Sequence, residues 1–218
     1  MAKKKSILLV GIGRFGRHMA MKLQELGHEV WAVDQSEERV NDVLPYVTNA
    51  QIGDTCSEAF IGSLGVRDFD VCVVTIGDDF QSSLETTALL KECGAKYVVS
   101  RASREVHAKF LLRNGADGVV YPEKEMAIRA AVRYSSENVF DYIRLNDDYS
   151  IYETAVPESW VGRSIIELGV RQKHRISILS IKRGEALEPM PRPEYVFQGN
   201  ERILILGDNR DIRKFIDF

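Results

Sequence analysis

Residues 7–34 read ILLVGIGRFGRHMAMKLQELGHEVWAVD: an apolar run, three glycines, an amphipathic stretch, a second apolar run and an acid. Gly11, Gly13 and Gly16 have the spacing G-x-G-x-x-G, and Asp34 follows the last of them by eighteen residues, at the end of HEVWAV. In such a motif the first glycine makes a tight turn, the second lets the backbone approach a diphosphate, and the third lets the helix pack on the strand. The phosphates then rest on backbone N–H groups that have no partner at the helix N-terminus. The flanks fit this reading. Ile7 to Val10 form a short buried-strand run, Phe15, Met19, Leu23 and Leu26 recur at helical spacing, and Gly27 is a stop.

Asp34 narrows the ligand, because a carboxylate there accepts hydrogen bonds from ribose hydroxyls and repels a 2′-phosphate. NADP is therefore disfavoured. A Walker-type phosphate loop is rejected: Gly11 and Gly16 have the right separation, but Arg17 and His18 stand where Lys and Ser or Thr are required.

The 218 residues allow one full core and a smaller second one. A net charge of −3, with both signs mixed along the chain, leaves no electrostatic footprint for nucleic acid or an anionic membrane. The run Lys3 to Lys5 reads as a solvated tail. No stretch approaches the roughly 20 apolar residues that a membrane span needs, and the N-terminus lacks the apolar core of a signal peptide, so the expectation is a cytoplasmic protein without direct membrane insertion. Cys56, Cys72 and Cys93 are scattered and odd in number, and Cys72 lies in the strand-like run VCVVTI, so reduced thiols are expected. Neither C-x-x-C nor H-E-x-x-H occurs.

Beyond Asp34, Ser36 is a candidate N-cap, with Val40, Val43 and Leu44 as the buried stripe of its helix. Further strands are expected near Ala50 to Ile52, Val71 to Ile76, Tyr97 to Ser100 and Gly118 to Tyr121. Helices are expected between them, near Ser57 to Leu64, Gln81 to Cys93 and Arg104 to Arg113. This alternation predicts the α/β class: a doubly wound, Rossmann-like parallel sheet with helices on both faces and ligands outside the carboxyl ends of the strands. A long helix over Glu123 to Asn138 turns Met126, Ala130 and Tyr134 to one side; sheet packing is the default reading of that face, and a dimer contact the other. Domain boundaries follow: residues 1–140 form the nucleotide-binding lobe, 141–149 a polar, acidic linker, and 150–218 a small α+β lobe. The small lobe takes strands at Ile151 to Val156, Ile176 to Ile181 and Arg202 to Leu206, helices near Ile165 to Leu168 and Ile212 to Phe215, and a loop at Pro189 to Pro193.

Several separate stretches carry a family likeness: GIGRFG at 11–16, IGDTCSEAFIGSLGV at 52–66, VVTIGDD at 73–79, VSRAS at 99–103, YPEKEMA at 121–127 and GRSIIELGVRQKHRISILSIKRG in the tail. Over nearly its whole length the chain resembles the RCK (regulator of conductance of potassium, or KTN) proteins, and among them the cytosolic gating subunits of Ktr potassium-uptake systems. Trk regulators of the same family commonly carry two tandem copies of this module; this chain holds one. The resemblance implies dimers that assemble into an octameric ring on the cytoplasmic face of a membrane potassium transporter of Ktr or Trk type. ATP, ADP or NAD(H) in the glycine-loop pocket would then change the ring's shape. Such a device requires different affinities for two ring conformations, since a nucleotide that bound both equally would gate nothing.

The resemblance also assigns roles. The nucleotide lies on the loop of Gly11, Ile12, Gly13, Arg14, Phe15 and Gly16, with Asp34 and Gln35 at the ribose. Arg14 matches the arginine that senses a terminal phosphate, a task suited to a guanidinium because ADP lacks the γ-group; the other reading is a solvated surface arginine. Asp54, beside Thr55, matches a position near the adenine, and reads equally as a helix N-cap. Ile76 and Gly77 end the fourth strand, where the backbone approaches the nucleotide. Arg101 either adds charge at the phosphates or makes an ordinary surface salt bridge. Glu123 matches a dimer-interface glutamate that binds a divalent or monovalent cation with its symmetry mate, since facing carboxylates repel unless a cation or proton lies between them; the alternative is a helix-start glutamate that favours the dipole. In the tail, Ile165, Arg171 and Ile178 fall on positions for a second effector, cyclic di-AMP, although Arg175 and Ser177 stand where the family carries a small residue and an asparagine.

Two competing functions share parts of this pattern. A small NAD-dependent oxidoreductase needs a proton donor beside the nicotinamide. No Tyr-x-x-x-Lys pair exists, and His18, His28, His107 and His174 form no acid–base constellation. The expectation is that the nucleotide is read and not consumed. An RCK regulator of a potassium channel fits the residues as well as a transporter regulator does.

Overall fold

The computed structural model describes residues 3–216. The chain divides into two compact units, Met1–Glu123 and Lys124–Phe218.

In the first unit strands alternate with helices: β1 (Ser6–Val10), α1 (Arg14–Glu25), β2 (Glu29–Asp34), α2 (Glu37–Val43), β3 (Asn49–Ile52), α3 (Glu58–Ser63), β4 (Val71–Val74), α4 (Phe80–Glu92), β5 (Val98–Arg101), α5 (Glu105–Arg113) and β6 (Gly118–Val120). The six strands are parallel in the order β3-β2-β1-β4-β5-β6. This is the doubly wound order, and its direction of winding reverses between β1 and β4. Period-two alternation splits β1 between two apolar layers. Leu8 and Val10 pack with Ile61, Phe69 and Leu90, while Ile7 and Leu9 pack with Ala20 and Val43 on the other face. Leu8, Leu9 and Val10 are fully buried, each worth about 1.5–3 kcal/mol of transfer free energy, which is why the strand reads as an unbroken apolar run. Ser36 caps α2, its hydroxyl accepting the Arg39 N–H at 3.4 Å. Cys72 is buried, which pushes its thiol up to about 12, and all three cysteines are unpaired.

The second unit contains α6 (Pro122–Tyr134), which starts two residues before the unit boundary, then β7 (Val139–Arg144), β8 (Tyr149–Ala155), α7 (Ile165–Leu168), α8 (Val170–His174), β9 (Ile176–Arg183), β10 (Ala186–Pro189), β11 (Arg202–Asp208) and α9 (Asn209–Ile216). Its five strands form an antiparallel sheet in the order β10-β9-β11-β8-β7. Ser164 and Glu167 make a reciprocal capping box on α7, and Gly169, left-handed at φ 59°, stops it after one turn. Glu201, its carboxylate out of solvent, accepts hydrogen bonds from Arg183 at 2.5 Å, the Tyr195 hydroxyl at 2.6 Å and the Gln198 N–H at 2.8 Å, pinning the 190–200 loop to the sheet.

The boundaries differ from the sequence expectation at this junction. Residues 141–149, expected as a linker, are mostly strand β7 and its hairpin turn to β8. Helix α6 ends at Tyr134, not Asn138, and its Ile128 and Val132 pack on the C-terminal core. The face expected to pack is the open one: Met126 and Tyr134 are both exposed. Strand β10 and helix α8 had no counterpart in the expectation.

Candidate functional site

The carboxyl ends of the central parallel strands open on a cleft of ≈ 900 Å³. Its floor is the glycine loop. Gly11 has φ +89°, donates its N–H to Val33 O at 2.8 Å, and would bring a Cβ to 2.9 Å from Ile76 Cγ1, so turn and crowding both demand glycine. The Thr75 hydroxyl holds this turn by donating to the Gly11 carbonyl. Gly16 is buried in α1, where a Cβ would strike the Gly11 carbonyl and lie 2.6 Å from Thr75 Oγ1; it packs helix on strand and does not line the cleft.

Gly13 is different. It is the N-cap of α1 at φ −71°, and a Cβ on it would meet nothing within 4 Å. Neither backbone strain nor crowding inside the chain calls for glycine at this place, which lines the cleft. Helix α1 also has no side-chain cap and no acid in its first turn. Its first N–H groups and the positive end of its dipole are left to whatever enters, and a phosphate fits both.

Asp34, at the end of β2, is buried. Its Oδ2 accepts the Ile12 N–H at 2.6 Å and its Oδ1 the Ser36 N–H at 2.8 Å, with Arg39 Nη1 at 3.6 Å. Gln35 lies exposed on the rim beside it. Asp54 makes a local turn by accepting the Cys56 N–H at 2.9 Å. It is not the N-cap of α3, a role taken by Ser57, which accepts the Phe60 N–H. Thr55 is buried and shares a 2.8 Å hydrogen bond with Thr86 of α4.

The far end of the cleft lies beyond β4 and β5. Ile76 and Gly77 follow β4, and the Arg101 guanidinium stands where a Gly77 Cβ would be. Arg101 pairs with Glu123 through Nη2 and lies 5.7 Å from the Phe15 ring centroid, while its buried Nε has no hydrogen-bond partner. Burial pushes the Glu123 carboxyl up, but its own backbone N–H, Arg101 and the charge of Arg14 outweigh this and hold it below the ordinary carboxylate range. Arg14, the first residue of α1, is exposed at the cleft.

Thus the structure gathers around one cleft the glycine loop, Asp34, Gln35, Asp54, Thr55, Ile76, Gly77, Arg101 and Glu123, with Gly16 set behind it. Among the described residues no cluster of three or more His, Cys, Asp or Glu side chains is placed to hold a metal ion, and Glu123 faces Arg101. In the second unit Ile165 and Ile178 are half-buried against the core and Arg171 is exposed on α8. Arg175 sits in the left-handed region at φ 56°. Sequence reasoning missed Thr75 and Arg39. The first had a signal, a lone hydroxyl closing the apolar run VCVV; Arg39 had only its place five residues after Asp34. His107, fully buried, accepts the Ser103 N–H at 3.3 Å on Nδ1 and has no partner on Nε2, so it braces a loop and is no acid–base group of the cleft.

Residues 7–122 match the TrkA-N domain and residues 151–218 the TrkA-C domain. Over 213 residues the chain is 39% identical to Ktr system potassium uptake protein A of Bacillus subtilis (strain 168), covering 98% of this chain and 96% of that protein. The chain belongs to the RCK regulatory subunits of Ktr potassium-uptake systems. This RCK subunit is also 36% identical to Ktr system potassium uptake protein C of the same organism, over 97% of the chain and 96% of that protein. Its fold matches the GsuK channel bound to NAD at a TM-score of 0.70 and 18% identity, covering 99% of this chain and 40% of that one. As an RCK subunit of a Ktr system it is a regulator of potassium transport, and not an enzyme. Among the described residues no helix is long and apolar enough to cross a membrane.

Proposed function

We propose that the chain is a cytoplasmic gating subunit that reads adenine nucleotides and sets the state of a membrane potassium transporter. The observation that carries this reading is Gly13: an unobstructed glycine at an uncapped helix start, which leaves the backbone open for a ligand to lie against it. A diphosphate there accepts hydrogen bonds from the first N–H groups of α1, with the ribose on Asp34 and the adenine near Asp54 and Thr55. Arg14 adds the preference for a γ-phosphate, since its fork has less to bind on ADP.

Gating then requires that the two nucleotides favour different packings of neighbouring subunits, as dimers within an octameric ring. Glu123, with its symmetry mate, is the proposed seat of a cation in that ring. Cyclic di-AMP is the proposed second effector at Ile165, Arg171 and Ile178, as the sequence resemblance implies. The GsuK channel, solved with NAD bound, supports nucleotide binding on this fold.

Calorimetric titration with ATP, ADP, NADH and NADPH, repeated on Arg14→Ala, tests the reading. Adenine nucleotides should bind and NADPH should bind poorly. The variant should lose ATP-over-ADP discrimination more than it loses ADP; equal loss of both would refute the γ-phosphate role.

A further inference from the structure

A doubly wound sheet binds a dinucleotide across its switch point, one nucleoside over each half: the first over β1 to β3, the second over β4 to β6. The two halves of this cleft are not alike. The first is open above Gly13 and Asp34. In the second, the space directly over Gly77 is filled by the Arg101 guanidinium, held by Glu123 on one side and by the Phe15 ring on another. Its side chain is only 16% exposed, and the buried Nε lacks any acceptor. A buried donor without an acceptor is costly, and a phosphate oxygen would relieve that cost where an uncharged nucleoside ring would not.

We infer that Arg101, latched by Glu123, is the residue that makes this cleft selective for an adenosine mononucleotide over a dinucleotide: it closes the second nucleoside position and offers its free N–H to the terminal phosphates. The inference rests on the cleft's reading as an adenine-nucleotide site and adds the ligand class. A dinucleotide enters only by displacing Arg101 from Glu123 and from the space over Gly77. Glu123 thereby has a task inside a single chain.

The test is calorimetry with ATP and NADH on the intact wild type, on Arg101→Ala and on Glu123→Gln, with thermal melting to verify folding. Wild type should bind ATP at least about tenfold more tightly than NADH, the scale of one charge-assisted hydrogen bond plus a blocked subsite. Arg101→Ala should weaken ATP by about tenfold and tighten NADH, so that the preference collapses. Glu123→Gln, which releases the arginine without removing it, should tighten NADH and lower the ATP-over-NADH preference less than Arg101→Ala does. Equal losses of both ligands in Arg101→Ala, or an NADH affinity in wild type that matches ATP, would overturn the inference while leaving the cleft reading intact. A wild type that binds neither ligand would overturn both.

Discussion

The carboxylate of Asp34 accepts the backbone N–H of Ile12 at 2.6 Å, so the acid that ends β2 and the glycine loop that ends β1 form one bonded unit. The same carboxylate accepts the Ser36 N–H, which ties the unit to the cap of α2. Loop geometry, the start of α2 and the proposed ribose contact therefore share a single side chain.

Asp34→Ala should cost both stability and binding. One buried and one half-buried hydrogen bond to a charged acceptor are lost and the Ile12 N–H is left without a partner, on the order of 2–4 kcal/mol by urea denaturation. Asp34→Asn keeps one acceptor oxygen for the Ile12 N–H but sets an NH2 donor against the Ser36 N–H, so it should lose less stability than Asp34→Ala while binding adenine nucleotides at least about tenfold more weakly. An Asp34→Ala protein as stable as wild type would show that the loop does not depend on this carboxylate.

Glu201 should give the second unit an acid-sensitive component. Burial pushes its carboxyl up, but hydrogen bonds from Tyr195, the Gln198 backbone and Arg183 outweigh this and hold it below the ordinary 4.5. A depressed carboxylate contributes stability that is full above its unfolded value and is lost as pH falls through the lower folded value. Glu201→Gln should therefore be less stable than wild type at pH 7, and the gap should narrow on acidification below pH 4.5. Urea denaturation at neutral and acid pH measures both numbers; a gap that does not change with pH would contradict the assignment.

His107 supplies a different slope, in the first unit. Burial first, then the charge of Arg104, lowers its basicity below the ordinary 6.5, so the native state keeps the ring neutral where the unfolded chain takes up a proton. By linkage, stability falls as pH drops below that value and levels off once the folded ring also protonates. His107→Gln should flatten this part of the profile, as pH falls through and below 6.5, relative to wild type, read as chemical-denaturation stability. Parallel profiles would mean that the ring is not neutral in the fold.

Much of the first unit was legible because parallel strands covered on both faces must be apolar throughout, as in Val71 to Val74, and because glycines and N-cap residues marked the turns between them. The second unit was harder. Strand β7, VFDYIR, is followed by Leu-Asn-Asp-Asp, and its polar neighbours made it look like a linker; in the fold the Asn146 side chain accepts the Asp148 and Tyr149 N–H groups and closes a hairpin. β10 is a short, fully exposed edge strand ending in proline, which carries no burial pattern to read. Helix α6 was visible as a helix, but its Ile128 and Val132 contact a core assembled from strands far downstream, and spacing alone cannot say which core an apolar residue joins. At the cleft, Gly11, Gly13, Gly16 and Asp34 were readable from spacing. Thr75 and the Arg101–Glu123 latch were not, because each pairs residues brought together only by the crossover connections.

The third glycine separates packing from binding. Gly16→Ala places a methyl group against the Gly11 carbonyl and Thr75, so it should destabilise the first unit by about 1–3 kcal/mol or more, visible as a lowered melting midpoint without ligand.

Gly13→Ala is the most direct test of the central claim that phosphates lie against the start of α1. The added methyl meets no protein atom within 4 Å, so the unliganded variant should melt within about 1 kcal/mol of wild type, the difference between glycine and alanine at an N-cap. At ATP a hundred times its wild-type Kd, wild type should gain about 2.7 kcal/mol of stability and Gly13→Ala almost none. An ATP-induced gain of equal size in the two proteins, or none in wild type, would contradict the account.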